Sequence, residues 1–281
     1  MSKVFSELQR QSDVRDLPIG IFDSGLGGLT VVKAVKALLP AERIIYLGDN
    51  ARVPYGTRSA STVERYARNC SRFLLGKGLK LLVVACNTVS AVALPAIRGM
   101  TDIPVMGVIS AGARAVAVAG SPRIGVIGTS GTIGSMAYVR EIGKLDPDCE
   151  VYQQAAPLFV PLAEEGWIEG EVPLAVARRY LEPLVQKQIE VLLLGCTHYP
   201  LLATTIRQSL RTLKSSAYVV DSATAMAADV KFALESRSLD RIPRDEGGFL
   251  CFATDLPSSF EEVATRFLGE QIGTVEAVDI S

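Results

Sequence analysis

The amino-acid sequence predicts an α/β fold: two pseudo-symmetric domains, each a mostly parallel sheet flanked by helices, with a ligand site in the cleft between them. Three observations carry this expectation. Short runs that are apolar throughout alternate with longer amphipathic stretches, the pattern of strands covered on both faces by helices. Two strand-plus-turn segments recur about one domain length apart. The chain is also large enough, at 281 residues and 48% hydrophobic, to bury one large core or two ordinary ones.

In chain order, strands are expected at Pro18–Phe22, Arg43–Leu47, Lys80–Ala85, Val105–Val108, Arg123–Ile127, Glu150–Gln153, Glu190–Leu194 and Ala217–Val220. Helical patterns lie between them, among them Thr30–Leu39, Ala60–Gly76, Val172–Lys187 and Leu201–Leu213. Ile19-Gly20-Ile21-Phe22, followed by Asp23-Ser24-Gly25, is echoed 105 residues later by Ile124-Gly125-Val126-Ile127 and Gly128-Thr129-Ser130-Gly131. Leu82-Val83-Val84-Ala85-Cys86-Asn87-Thr88 is echoed 110 residues later by Leu192-Leu193-Leu194-Gly195-Cys196-Thr197-His198. A period of that size indicates a duplicated domain rather than a solenoid. Ligands of open parallel sheets bind beyond the carboxyl ends of the strands, where all four of these turns fall.

Several classes of function are disfavoured. Lys and Arg total 29 against 30 Asp and Glu, and no like-charge run suggests a nucleic-acid face or a polybasic membrane patch. Met1 to Asp16 is polar, of mixed charge, and lacks an export signature. The longest apolar run, near Gly107 to Gly120, is broken by Ser110 and Arg114, so no membrane span is expected. The cysteines at 70, 86, 149, 196 and 251 form neither a C-x-x-C pair nor a zinc cluster. Reduced thiols, no metal and a cytoplasmic location are the expectation.

Cys86 and Cys196 each end an apolar strand and precede a polar pair able to open a helix, Asn87-Thr88 or Thr197-His198. Thiolates are favoured at helix N-termini. One buried cysteine alone is ordinary packing, but two at equivalent places in duplicated halves are not. Cys70, Cys149 and Cys251 have no such mate and are taken as structural. Mirror-placed thiols suit inversion of a stereocentre, where one group removes a proton from one face and its counterpart delivers another to the opposite face. Thiol–disulfide exchange would want the sulfurs adjacent.

The remaining motifs are read beside these two. His198, the only histidine, sits two residues beyond Cys196, where it can hold a thiolate or polarise a substrate. Asp23-Ser24-Gly25-Leu26-Gly27-Gly28 fits a tight βα turn whose amides can hold a carboxylate. It fails the dinucleotide fingerprint, because the last glycine would fall at Thr30. Asp49 to Gly56 reads as a solvated turn, or as one whose Tyr55-Gly56 amides bind an anion. Spacing alone makes Glu164 and Glu165 an exposed pair.

Together, Phe22-Asp23-Ser24-Gly25-Leu26-Gly27-Gly28, Pro54-Tyr55-Gly56, Ala85-Cys86-Asn87-Thr88 and Gly195-Cys196-Thr197-His198 resemble the glutamate racemase family, over about Leu17 to the C-terminus. The resemblance implies a cofactor-independent isomerase needing no pyridoxal phosphate, metal or nucleotide, which supplies D-glutamate for peptidoglycan. It implies that Cys86 takes the α-proton from D-glutamate, assisted by Asp23. Cys196 would take it from L-glutamate, assisted by His198 with Glu164 behind it. Ser24, Tyr55, Gly56, Asn87, Thr88 and Thr197 would bind the amino and carboxylate groups, together with Asp23 and His198. It further implies that the C-terminal segment returns to the first domain. The first domain is then 1–104 plus 220–281, with 1–16 as an N-terminal extension, and the second is 105–219, the crossover lying between Asp102 and Val108. A homodimer and activation by a peptidoglycan precursor complete the expected partners. The chain departs from the family pattern at Ala156, where a cysteine is frequent.

One alternative lies in the same superfamily and another in a different class. An aspartate racemase of the same superfamily would resemble the chain at both cysteines, but such relatives tend to carry Glu in place of His198 and lack the full glycine turn. A non-catalytic amino-acid-binding protein is compatible with the fold, yet gives no reason for paired thiols.

Overall fold

The structure, a computed structural model, describes residues 13–242 and 247–280. The first half runs β1 (Ile19–Asp23), α1 (Leu29–Leu38), β2 (Ile44–Gly48), α2 (Ala60–Leu75) and β3 (Leu81–Val84). It continues through α3 (Asn87–Val92), α4 (Leu94–Arg98) and β4 (Val105–Gly107). The second half runs α5 (Val108–Val118), β5 (Arg123–Gly128), α6 (Ser130–Gly134), α7 (Ala137–Leu145) and β6 (Glu150–Ala155). After α8 (Phe159–Glu164) and α9 (Glu171–Gln186) come β7 (Val191–Gly195), α10 (Ala203–Thr212) and β8 (Tyr218–Asp221). The chain ends with α11 (Ser222–Ser236), β9 (Phe249–Ala253), α12 (Phe260–Leu268) and β10 (Val275–Ala277).

Local chemistry accounts for these elements. β1, β2, β3 and β7 are buried at every position, as parallel strands covered on both faces must be. In α2 the buried side chains Val63, Ala67, Cys70, Ser71 and Leu74 recur at helical spacing, and the Ser59 hydroxyl caps its start by accepting from the Thr62 amide. Each fully buried Val or Leu is worth about 1.5–3 kcal/mol relative to exposure.

Both sheets are parallel, and their order repeats. The second sheet is β6-β5-β7-β8, matched in the first by β2-β1-β3-β4. The strands that echo one another in sequence, β1 with β5 and β3 with β7, therefore occupy the same two inner positions. The first sheet is longer because β9 and β10 add to its β2 edge. Neither strand was anticipated from the sequence.

Sheet membership moves both expected boundaries. Val105–Gly107 pairs with Leu82–Val84 as the edge of the first sheet, so those three residues do not open the second half as expected from the 104/105 division. Val220 and Asp221 complete β8 against Leu193 and Leu194, so the second sheet extends past residue 219. The next helix, α11, packs against both α1 and α5. Through it one apolar cluster, including Ile21, Val32, Met226, Val230 and Leu194, runs continuously from one half into the other. The helix expected at Leu201–Leu213 begins instead as a 3-10 turn, Tyr199–Leu202, before α10. Pro200 lacks an amide hydrogen, and Tyr199 and Leu202 are drawn fully into the core. Cys196 is thus not at an α-helix N-terminus, whereas Cys86 directly precedes α3.

Candidate active site

A cavity of about 330 Å³ lies where the carboxyl ends of the two sheets meet. Ser24, Tyr55, Gly56, Cys86, Asn87 and Thr88 line it from the first half; Glu164, Cys196, Thr197 and His198 line it from the second. Every site residue expected from the sequence is therefore at this wall except Asp23, which lies buried behind it. Val53, Pro54, Pro157, Val160 and Pro161 give the cavity apolar sides.

On the first side, the Cys86 Sγ stands 3.4 Å from the Ser24 hydroxyl. Burial, then the nearby Asp23 charge, push the thiol up to about 12, against opposing bonds from Ser24 and the Val89 amide. Cys86 is a thiol at neutral pH, ready to donate a proton. Asp23 makes no bond to it. Its Oδ2 accepts from the Gly28 amide at 2.7 Å and the Thr197 hydroxyl at 3.4 Å. The second contact ties the two halves together beneath the cavity, as does the Thr30 hydroxyl donating to the Thr197 carbonyl.

The second side is a relay. The Cys196 Sγ lies 3.8 Å from His198 Nδ1, and His198 Nε2 lies 3.0 Å from Glu164 Oε1. Burial alone lowers the histidine pKa. The hydrogen bonds and charges of Cys196 and Glu164 outweigh it and raise it to about 10. His198 is therefore an imidazolium near neutrality, with Nδ1 facing the Cys196 sulfur. Glu164, an exposed pair member on spacing alone, is brought to this histidine by α8. Gly27 lets the imidazole pass: a Cβ there would stand 2.4 Å from His198 Nδ1.

Tyr55 is held from the side of Asp49. Its ring is buried at the cavity, but its hydroxyl donates to Asp49, which also accepts from Arg52 at 2.8 Å and Thr254 at 3.0 Å. Asp49 thus anchors the whole Val53–Gly56 loop, and Tyr55 offers the cavity backbone and ring rather than a free hydroxyl. The sequence reading also missed Thr129 and Ser130, which line the cavity. Thr129 bonds Thr88 across the cleft, Oγ1 to Oγ1, at 3.0 Å. The signal was present, because the duplication places Thr129 opposite Ser24.

Comparison with known proteins agrees with this geometry. The Asp/Glu/Hydantoin racemase family matches residues 27–230. Glutamate racemase of Geobacter metallireducens is 49% identical over 263 residues, covering 93% of this chain and 96% of that protein. The crystal structure of Francisella tularensis glutamate racemase in complex with D-glutamate superposes with a TM-score of 0.89 at 36% identity, over 95% of this chain and 99% of that one. Escherichia coli glutamate racemase, in complex with L-glutamate and the activator UDP-MurNAc-ala, gives 0.73 at 29% identity, over 93% and 98%. The chain belongs to the Asp/Glu/Hydantoin racemase family, a family of isomerases. Within that family it stands with the glutamate racemases.

Proposed function

We propose that the chain interconverts L- and D-glutamate by two-base proton transfer at Cα, without a cofactor. The observation that supports this is that Cys86 and Cys196 follow equivalent strands of the two sheets and line one cavity from opposite halves. With L-glutamate, the Cys196 thiolate takes the α-proton, and the C–H electron pair stays on Cα, delocalised into the carboxylate. The Cys86 thiol then delivers its proton to the other face, leaving D-glutamate, a Cys86 thiolate and a Cys196 thiol. D-glutamate runs the same steps backwards. The apolar sides keep water from the carbanion and strengthen the donors that face its carboxylate.

In this reading the D-glutamate supplies peptidoglycan synthesis in the cytoplasm, and the chain acts as a homodimer. A peptidoglycan precursor acts as its activator, as UDP-MurNAc-ala does for the Escherichia coli relative. No helix among the described residues is long and apolar enough to cross a membrane. The test is turnover of L-glutamate in deuterium oxide, followed by circular dichroism and α-proton NMR, with aspartate in parallel. Deuterated D-glutamate from the wild type, and none from Cys86→Ala or Cys196→Ala, is the expected result. Racemisation by either variant at the wild-type rate would overturn the two-cysteine mechanism.

A further inference from the structure

Tyr138, near the start of α7, is fully buried and lies outside the catalytic relay. Its ring is held between two glycines. A Cβ at Gly195 would stand 2.8 Å from its Cε2, and one at Gly112 would stand 3.2 Å from its Cε1. Gly195 is the residue immediately before Cys196. The hydroxyl reaches the other half and donates to Asn87 Oδ1 at 2.6 Å. Asn87 is the residue immediately after Cys86. One side chain thus rests on one cysteine turn and bonds the other.

The bond also orients Asn87. A side-chain amide has an accepting end and a donating end, and Tyr138 occupies the accepting one. Burial raises the Tyr138 pKa, so the phenol keeps its proton and can only serve Oδ1 as a donor. The donating end, Nδ2, is buried and has no partner among the described residues, while Asn87 itself lines the cavity. A buried, unpaired N–H is costly, and a ligand carboxylate is what would satisfy it.

We infer that Tyr138 is a positioning residue that locks the Asn87 amide with its NH2 toward the substrate carboxylate. It sets affinity for the anionic substrate rather than moving a proton. The inference rests on glutamate being the molecule in the cavity. Without the phenol, the amide can turn and present Oδ1 to the carboxylate, converting an attraction into a repulsion.

The test is Tyr138→Phe, which keeps the ring between its glycines. Its KM for both enantiomers, and its calorimetric Kd for D-glutamate, are expected to rise about tenfold, with kcat changed less than about twofold. In an Asn87→Ala background the same substitution should change Kd less than about twofold, because the phenol acts only through Asn87. Equal losses in both backgrounds, or a loss confined to kcat, would overturn the inference. A second measurement needs no Tyr138 variant. The side-chain NH2 resonances of Asn87, assigned by their absence in Asn87→Asp, should shift when wild type is saturated with D-glutamate, and unmoved resonances would refute the assignment. Wild type that neither binds nor racemises glutamate would sink the functional proposal itself. Wild type that does both, alongside a Tyr138→Phe variant of unchanged KM and Kd, would sink only this one.

Discussion

The ring of Phe267 stands edge-on to the imidazole of His198, with centroids 5.0 Å apart and planes inclined at 76°. Phe267 belongs to α12, which follows the strand β9 of the first sheet, whereas His198 serves Cys196 on the second. Its neighbour Arg266 donates to the Glu164 carbonyl. The C-terminal helix therefore braces the Cys196 relay from across the cleft, as Tyr138 braces the Cys86 turn from the opposite side.

Phe267→Ala should be costly on two counts. The side chain is fully buried, so truncation is expected to lose about 3–5 kcal/mol in urea unfolding. The folded fraction should also have lower kcat, because the imidazole loses its wall. Unchanged turnover per folded molecule would show that α12 only adds stability.

Gly27→Ala tests the close approach at the imidazole. Its methyl would press on both His198 Nδ1 and Thr197 Oγ1, each 2.4 Å from the new atom. Overpacking of this kind costs about 1–3 kcal/mol of stability. The fall in kcat/KM should exceed what that loss explains, since the displaced groups are those beside Cys196. Steady-state kinetics and thermal melts on the same sample decide it.

Glu164→Gln keeps a hydrogen-bond acceptor for His198 Nε2 but removes the charge. The imidazolium should lose its proton at lower pH than about 10, shifting the alkaline limb of the pH–rate profile downward. A limb that stays in place would mean that Cys196 alone sustains the imidazolium.

His198 also links stability to pH. Its folded pKa lies above the unfolded value, so the folded state binds the proton more tightly. Its contribution is fully present below about 6.5, declines as pH rises, and is gone above about 10. Cys86, with a pKa raised from 9.0 to about 12, also loses its stabilising contribution as pH rises above about 9, so the comparison must isolate the histidine. The stability difference between wild type and His198→Gln, measured by urea unfolding from pH 6 to pH 10.5, should shrink steadily. A difference that does not vary with pH would contradict the raised value.

Much of the site was legible because the chain duplicates it. Each cysteine follows a short apolar run of strand length bounded by a polar turn, the pattern of a strand covered on both faces. Equivalent strands in equivalent sheets then deliver equivalent turns to one cleft. Thr129 and Ser130 stand in the same repeat, but Gly128 there replaces the acidic residue that marks the first turn at Asp23.

By itself, then, the sequence determined the α/β class, the two repeated strand-and-turn segments, the cysteine pair and the single histidine beside one of them. These are properties of local pattern: apolar period, turn residues and spacing. The tertiary structure alone decided that Val105–Gly107 closes the first sheet, that Phe249–Ala253 and Val275–Ala277 extend it, and that Asp23 spends its bonds on Gly28 and Thr197. It also decided that Glu164, Tyr138 and Phe267 reach the two cysteine turns from distant segments. Such contacts join residues tens to hundreds of positions apart. They depend on which strand edges pair and which side chains fill the space between two packed halves, and no local periodicity encodes that.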